Sequence, residues 1–243
     1  MKERTALSDA ERDALRRKLV ARIPSWYSPR AHQLVPSLVG LALVAVLLLL
    51  LQDLRPWQLF IVPLTFLLSN ASEWRIHRDL LHKRTPPFAL LYQRHTPEHH
   101  MVFLTEDMAM RSLNEYRLVL IPAYGILGAF VGALVPAAVL ALCGQRNLGL
   151  LFCSSSILYV ICYEQLHLCF HLPHESPIAR LKLIALLRRH HAIHHHPERM
   201  QRWNFNVVLP LWDYVRGTVY RADRPRAPAM HHPDSVDPSQ SPV

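Results

Sequence analysis

Residues 148–171 read LGLLFCSSSILYVICYEQLHLCFH, an apolar run that ends in two histidines. The run carries no charge before Glu164, and His167 and His171 follow it at a spacing of four residues. Side chains four residues apart lie on one face of a helix. The stretch therefore predicts a membrane helix that presents two imidazoles together at its end.

Three further clusters of closely spaced histidines occur in the chain, and each lies just outside an apolar stretch. Neutral imidazole is a common protein ligand for iron, zinc and copper. Ten clustered imidazoles are too many for one ion and suit two. We therefore predict a dinuclear metal site with these ligands: His77, His82, His95, His99, His100, His167, His171, His191, His194 and His195.

The spacings within the clusters predict which imidazoles share a small volume. Three pairs are four residues apart, and these are His95 with His99, His167 with His171, and His191 with His195. His194 also lies three residues after His191. His77 and His82 are five apart and diverge by about 140° on a straight α-helix. Either that helix is broken, or the two histidines serve different metals.

Four apolar runs predict an all-α integral-membrane bundle of four spans, at about residues 34–51, 57–73, 118–143 and 148–165. Residues 1–33 hold eight Lys/Arg and residues 73–117 hold seven, whereas the turns at 52–56 and 144–147 hold one each. The positive-inside rule then places both termini in the cytoplasm. All four histidine clusters fall on that side, as a cytoplasmic di-metal domain.

The chain divides into three parts. In residues 1–33, Ser8 and Glu11 have the spacing of a capping box and predict an amphipathic helix through about Ile23, which lies either on the membrane surface or in solvent. Residues 34–220 form the membrane-embedded metal domain. Residues 221–243 are Pro-rich and predict a disordered tail in which His231 and His232 are incidental.

Composition indicates a lipid partner. The chain is 51% hydrophobic and carries a net charge of +9, but its arginines flank the apolar runs. Anionic lipid headgroups explain that placement better than nucleic acid, which we do not expect as a partner. The four cysteines include no C-x-x-C pair and predict neither a zinc ribbon nor a disulfide framework.

With these motifs the chain resembles the sterol desaturase/fatty acid hydroxylase superfamily of integral-membrane, histidine-rich oxygenases. The matching stretches are EWRIHRDLLH (73–82), RHTPEHH (94–100), YEQLHLCFH (163–171) and HHAIHHHPERMQRWNFNVVLPLWDYVRGT (190–218). Two positions depart from the pattern. Asn206 stands where the family has glycine, and Leu172 stands where some fatty acid hydroxylases have a second histidine.

The resemblance implies two iron ions that activate dioxygen as a co-substrate, with zinc as a substitute that cannot cycle its redox state. It implies an oxidoreductase, a monooxygenase that hydroxylates an unactivated C–H bond of a lipid or fatty-acyl substrate. Desaturation, or modification of a sterol or carotenoid, is the alternative within the superfamily. Because the sequence has no Gly-rich nucleotide fingerprint and no Cys cluster, electrons must come from an external donor, such as a ferredoxin or a b-type cytochrome with its reductase.

Five residues beside the clusters are candidates for holding ligands in place. These are Glu73, Glu164, His174, His190 and His196. Trp212 and Asp213 are expected to pack the C-terminal segment on the metal domain. A non-enzymatic membrane metal-binding or transport protein remains the alternative of another class, although transport favours ionisable residues at mid-membrane depth, which the four runs lack.

Overall fold

The computed structural model describes residues 7–222 of the chain, and within that range they form helices and no strand. The predicted all-α class is confirmed. All but the first two residues of the predicted tail, including His231 and His232, lie outside the described residues. The helices are α1 (Asp9–Ala21), α2 (Pro29–Leu49), α3 (Ile61–Ile76), α4 (Ala89–Gln93), α5 (His100–Val102), α6 (Tyr116–Val119), α7 (Ala123–Leu142), α8 (Arg146–Phe170), α9 (Lys182–His194) and α10 (Leu211–Arg216).

Three of these helices, α2, α7 and α8, are long and apolar enough to cross a membrane. Helix α2 begins earlier than the predicted span because the Ser28 hydroxyl accepts from the Ala31 amide and Pro29 occupies the first turn. Helix α7 begins later than predicted, after Pro122, whereas Leu118 is buried in the short helix α6. Helix α8 runs on to Phe170 and so carries His167 on its last turns.

The remaining predicted span, residues 57–73 and the second along the chain, corresponds to a 3-10 turn (Pro56–Phe60) followed by α3. Its start is tied to the start of α8, because the Asn147 side chain donates to the Gln52 carbonyl at 2.6 Å and to Gln58 Oε1 at 3.2 Å. Helix α3 ends at Ile76, directly before His77. The segment therefore runs from the turns at one end of the bundle to the histidines at the other.

The opposite end of the bundle gathers the starts of α2 and α7 with the end of α8. His32 Nε2 donates to the Ile121 carbonyl at 3.1 Å, and the Gln33 amide donates to Gln165 at 3.1 Å. The histidine-rich segments lie at this end, as a cap on the bundle. Four apolar clusters of buried side chains form the core between these helices.

Helices α7 and α8 approach most closely at Gly149. A Cβ atom built there would lie 2.5 Å from the backbone oxygen of Ala137, closer than real Cβ atoms come to any atom. Backbone cannot move aside as a flexible side chain can. The glycine therefore sets the distance between the two helices.

We expect Gly149→Ala to lower the stability of the bundle by about 1–3 kcal/mol, since the helices must separate to admit the methyl group. Thermal unfolding in detergent measures the effect. Gly132→Ala in α7 is the matched control, because a Cβ there meets nothing within 4 Å and alanine is the better helix former. Equal melting temperatures for the two variants would contradict the prediction.

Helix α1 packs on the histidine-rich cap. Its capping box is confirmed: the Glu11 carboxylate accepts from the Ser8 amide at 2.9 Å, and Ser8 Oγ accepts from the Glu11 amide at 3.4 Å. Its apolar residues Leu15, Leu19 and Val20 lie against the buried cluster around Val102, Phe103 and Leu118. The apolar face is therefore covered by protein.

A buried arginine fixes α1 in that position. The Arg16 guanidinium donates to the Ala109 carbonyl at 2.8 Å and pairs with Glu115 at 3.2 Å and Asp107 at 3.3 Å. It also lies 5.0 Å from the centre of the Phe103 ring. Because a buried charge without a partner is costly, these contacts specify how the helix docks.

Candidate metal centre

The ten clustered histidines come together in two groups of five, and all ten are buried. Within each group, one ring nitrogen of every histidine lies within 4.8 Å of the others. The first group contains His77, His82, His95, His100 and His194, and the second contains His99, His167, His171, His191 and His195. The groups adjoin, since the rings of His100 and His195 stack with centroids 4.2 Å apart.

The histidine spacings in the sequence correctly predict part of this arrangement. His167 and His171 share the second group, as do His191 and His195, but His95 and His99 fall in different groups. His77 and His82, five residues apart, share the first group. His191 and His194, three residues apart, also fall in different groups. Expecting either of these two pairs to share one group was wrong.

Two π-helical turns explain the difference. His77–Leu81 and Arg94–His99 each form a π-turn, whose hydrogen bonds join residues five apart. The His82 amide accordingly bonds to the His77 carbonyl at 3.2 Å. The wider turn brings residues five apart onto nearly the same face. The regular α-helix therefore ends before His77. This is the first of the two alternatives that the spacing of His77 and His82 left open.

Backbone carbonyls fix the orientation of half of the rings. A carbonyl oxygen can only accept, so the facing Nδ1 must carry the proton, and Nε2 of the neutral ring is then left with its lone pair. The Nδ1–H groups donate as follows: His77 to Phe205, His99 to Leu118, His171 to Met108, His194 to Trp203 and His195 to Phe103.

The side chains of His82 and His194 give the clearest fit to a cation. Thr96 donates its hydroxyl proton to the Leu81 carbonyl at 2.7 Å, so its oxygen accepts from His82 Nδ1 at 3.2 Å. Both His82 and His194 therefore carry a lone pair on Nε2, and these atoms lie 2.9 Å apart. Two lone pairs cannot form a hydrogen bond. A cation between them removes the repulsion.

The second group shows the same need for a partner. Nε2 of His99 and Nε2 of His171 are buried and have no hydrogen-bond partner among the described residues. Buried polar atoms are rarely left in that state. Five converging imidazoles of neutral tautomer form a donor set that suits iron, copper or zinc. The residues of both groups thus fit a metal ion.

Burial keeps these imidazoles neutral. It lowers the pKa of His77 to about 4 and that of His195 to about 3, although backbone hydrogen bonds to Phe205 and Phe103 oppose the shift. Burial also holds the pKa of seven other ligand candidates well below the ordinary value: His82, His95, His99, His100, His171, His191 and His194. Neutral imidazole is the form that binds metal.

The lowered pKa values predict how the metal-free protein responds to acid. Below pH 6.5 the unfolded chain binds protons that the buried rings do not, so stability should fall as the pH drops from about 6.5 towards 4. Thermal unfolding of chelator-treated protein between pH 8 and pH 5 measures this. The metal-loaded protein is the control, since the ion competes with protons. A melting temperature that rises on acidification would contradict the expectation.

The two carboxylates beside the clusters hold backbone amides. Glu73 accepts from the Tyr159 hydroxyl and from the amides of Val207 and Val208. Glu164 accepts from the Ile121 amide at 3.2 Å. Both are buried. Glu73 thereby secures the segment that carries Phe205, and Glu164 secures the chain just after Leu118, so each acts near a carbonyl that orients a ring.

The three extra histidines lie outside both groups. His174 is exposed and its Nε2 accepts from Arg188 at 3.3 Å. His190 donates from Nε2 to Asp213 at 3.0 Å. His196 Nδ1 accepts from the Glu198 amide at 3.3 Å. Of the three, His190 bonds to Asp213, whose carboxylate holds the segment that carries Phe205.

Asp213 organises that segment. Its carboxylate accepts from the amides of Phe205 at 3.0 Å and Asn206 at 2.8 Å, and from the Thr218 hydroxyl at 2.6 Å. The Phe205 peptide that it fixes is the one whose carbonyl accepts from His77. Asp213 is thus structural, as predicted, and its place in the orientation of His77 was missed. The Trp212-Asp213 motif is the feature of the sequence that could have indicated this role.

Asn206, which stands where the resemblance leads us to expect glycine, completes the same network. Its side chain donates to the Asn70 carbonyl at 2.9 Å and accepts from the Asp213 amide at 3.0 Å. Asn70 in turn accepts from the Trp212 amide and donates to the Leu209 carbonyl. The amide of Asn206 therefore ties α3 to the C-terminal segment, a contact that glycine has no side chain to make.

Comparison with known proteins gives one match. The fatty acid hydroxylase family model matches residues 62–218, well over half of the chain and all four histidine clusters. No curated protein and no solved structure matches the chain. Together with the three candidate membrane helices and the two histidine groups, this match shows that the chain belongs to the fatty acid hydroxylase family.

Proposed function

We propose that the protein is a membrane-bound di-iron oxygenase that hydroxylates an unactivated C–H bond of a lipid or fatty-acyl chain with dioxygen. The observation that carries the proposal is the pair of buried five-histidine groups, side by side at the end of an apolar helical bundle. Family membership supports the reaction class. The ten histidines are the proposed ligands.

The roles of the chain's own residues follow from their contacts. The carbonyls of Phe205, Trp203 and Phe103 orient ligand rings, and burial excludes water from both groups. Two iron ions held there would supply dioxygen activation and hydrogen abstraction. Because the two groups adjoin, each can act on the same bound molecule. Electrons come, in this proposal, from a ferredoxin or from a b-type cytochrome with its reductase.

The proposed substrate enters from the bilayer. Helices α2 and α7 expose apolar side chains such as Leu38, Val39, Val131 and Val135 over most of their length. Among monomeric soluble proteins, apolar surface of that extent is rare. Lipid therefore surrounds the bundle whose end the metal groups cap, and an acyl chain can reach them without crossing water.

Four crossings, with both termini and the metal groups in the cytoplasm, are part of the proposal. Pro56–Phe60 and α3 together span about 34 Å at the usual rises per residue, enough for the roughly 30 Å hydrocarbon core. Leu64, Leu67 and Leu68 of α3 are exposed, as on a lipid-facing helix. The path of α3 from the turns to His77 supports a full crossing.

Reporter fusions test this topology. Fusions after residues 30, 54, 90, 145 and 225 are expected to report cytoplasm, exterior, cytoplasm, exterior and cytoplasm in that order. The reason is the excess of Lys/Arg in residues 1–33 and 73–117. An exterior signal after residue 90 would contradict the topology and the cytoplasmic metal groups together.

Metal content and lipid products test the function. Purified protein is expected to hold two iron ions per chain, and cells that express it should gain lipids that are heavier by one oxygen atom in an oxygen-dependent manner. Products lighter by two hydrogens would identify a desaturase, and modified sterols or carotenoids another substrate class. Bound metal without any oxygen-dependent product would favour the non-enzymatic alternative.

A further inference from the structure

Two arginines and two tyrosines meet at the end of the bundle where the histidine groups lie, outside both groups. Arg94 pairs with Glu98 and donates to the Arg117 carbonyl. Tyr27 is joined through His32 to the Ile121 carbonyl, and both tyrosines lie near enough to Arg94 to influence its pKa. Tyr27 precedes α2, and Tyr124 lies in the first turn of α7. The four residues therefore lie close to the point at which α2 and α7 begin.

Hydrogen bonds fix the orientation of Tyr27. His32 Nε2 donates to the Ile121 carbonyl, so its Nδ1 must accept, and the Tyr27 hydroxyl donates to it at 2.8 Å. The phenol is thereby held at the boundary between α2 and the segment that leads into α7. Its ring also packs edge-on against His32, with centroids 5.6 Å apart. Tyr27 is a fixed wall of the cluster.

The charges of the cluster do not balance. Arg94 pairs with Glu98 at 2.6 Å, and its second terminal nitrogen donates to the Arg117 carbonyl. The Arg117 guanidinium makes no ion pair within the part of the chain that the structure describes. The cluster thus holds two cations and one carboxylate. Both arginines are only partly buried, so an outside anion can reach them.

The cluster lies where a bilayer places its headgroups. Tyr124 is 50% exposed, and Trp26, next to Tyr27, is 83% exposed. Tyrosine and tryptophan prefer the membrane–water boundary, and arginines at that boundary attract anionic lipids. Guanidinium also matches the geometry of phosphate oxygens, to which it can donate two parallel hydrogen bonds.

We propose that Arg94, Arg117 and Tyr124, against the wall formed by Tyr27, bind the phosphate of an anionic membrane phospholipid. The guanidinium of Arg117 supplies the uncompensated charge, and the Tyr124 hydroxyl donates a hydrogen bond. The site is distinct from the histidine groups. It lies close to one of them in sequence, because Leu118, whose carbonyl orients His99, directly follows Arg117. Binding at this site requires neither metal nor turnover.

The test measures lipid binding by the full chain purified in a neutral detergent, by titration with native mass spectrometry. The probes are dioctanoyl phosphatidylglycerol, dioctanoyl phosphatidylcholine and inorganic phosphate. We expect phosphatidylglycerol to bind more tightly than phosphatidylcholine, and Arg117→Gln to weaken its binding by about tenfold, the loss of a charge-assisted contact. Tyr124→Phe should weaken it by a few fold.

Arg55→Gln is the matched control, since Arg55 is an exposed arginine at the opposite end of the bundle and undergoes the same chemical change. It should leave phosphatidylglycerol binding unchanged. Should Arg117→Gln fail to fold, Tyr124→Phe and Arg117→Lys test the same site. Equal affinity for the two lipids, or full binding by Arg117→Gln, would overturn the proposal. Equally strong binding of inorganic phosphate would overturn the assignment to a lipid.

Discussion

Replacing His194 or His171 by alanine is expected to abolish turnover and to remove metal from the protein. Each substitution takes one imidazole from a different group, His194 from the first and His171 from the second. Both side chains are fully buried, so no water-exposed group can move in to replace the lost ligand. If the imidazoles are ligands, we expect activity to fall by at least about a hundredfold. The reason is that replacing a residue that only supports a ligand already lowers metal affinity or activity by about 10–100-fold.

His174→Ala is the matched control for His171→Ala. The two histidines are three residues apart, but His174 is exposed, and Pro173 lies between the end of α8 and its position. It should keep its metal and most of its activity. Metal content by mass spectrometry and product formation at matched expression measure both variants. If His174→Ala were inactive while His171→Ala survived, the assignment of the third cluster would be wrong.

Asp213→Asn is expected to lower metal affinity and activity by about 10–100-fold, the usual cost of losing a residue that holds a ligand in place. Its carboxylate accepts from three groups of its own segment and from His190. An asparagine amide would turn two of its own N–H groups towards those donors. The Phe205 peptide would then lose its position, and with it the carbonyl that orients His77.

Metal titration separates this effect from general unfolding. Asp213→Asn should weaken binding at the first group, which contains His77, more than at the second. Asp53→Asn is the control: Asp53 is exposed in the turn after α2 and has a φ of 46°, which asparagine tolerates. Equal metal affinity in the two variants would show that Asp213 does not position the ligands.

How much of the site the sequence could predict depended on helix type. For His167 and His171, and for His191 and His195, the α-helical repeat sufficed because α8 and α9 stay α-helical up to the residue before each second histidine. It did not suffice for His191 and His194, which lie three apart in α9 but in different groups. For His95 and His99 it failed, since nothing in RHTPEHH distinguishes an α-helix from a π-turn. The choice between them is made by tertiary contacts, here the packing of rings around shared centres.

The supports of the ligands were the least predictable part. The sequence indicated two carboxylates and three extra histidines beside the clusters, whereas backbone carbonyls orient five of the rings. Every residue has a carbonyl, so composition cannot single out Phe103 or Leu118. Only the folded positions of these residues distinguish them. The all-α class and the apolar bundle followed directly from hydropathy, because membrane helices must satisfy their own backbone hydrogen bonds.

The contribution of Trp203 and Phe205 has a consequence for how the protein is made. Their carbonyls orient His194 and His77, and both residues follow every membrane helix in the chain. During synthesis from the N-terminus, His77 is therefore made long before Phe205, whose carbonyl orients its ring. The hydrogen bonds that orient His77 and His194 cannot form until the chain has been synthesised through Phe205, after α2, α7 and α8. The proposed iron ion of the first group would therefore be bound only after these three helices have been made.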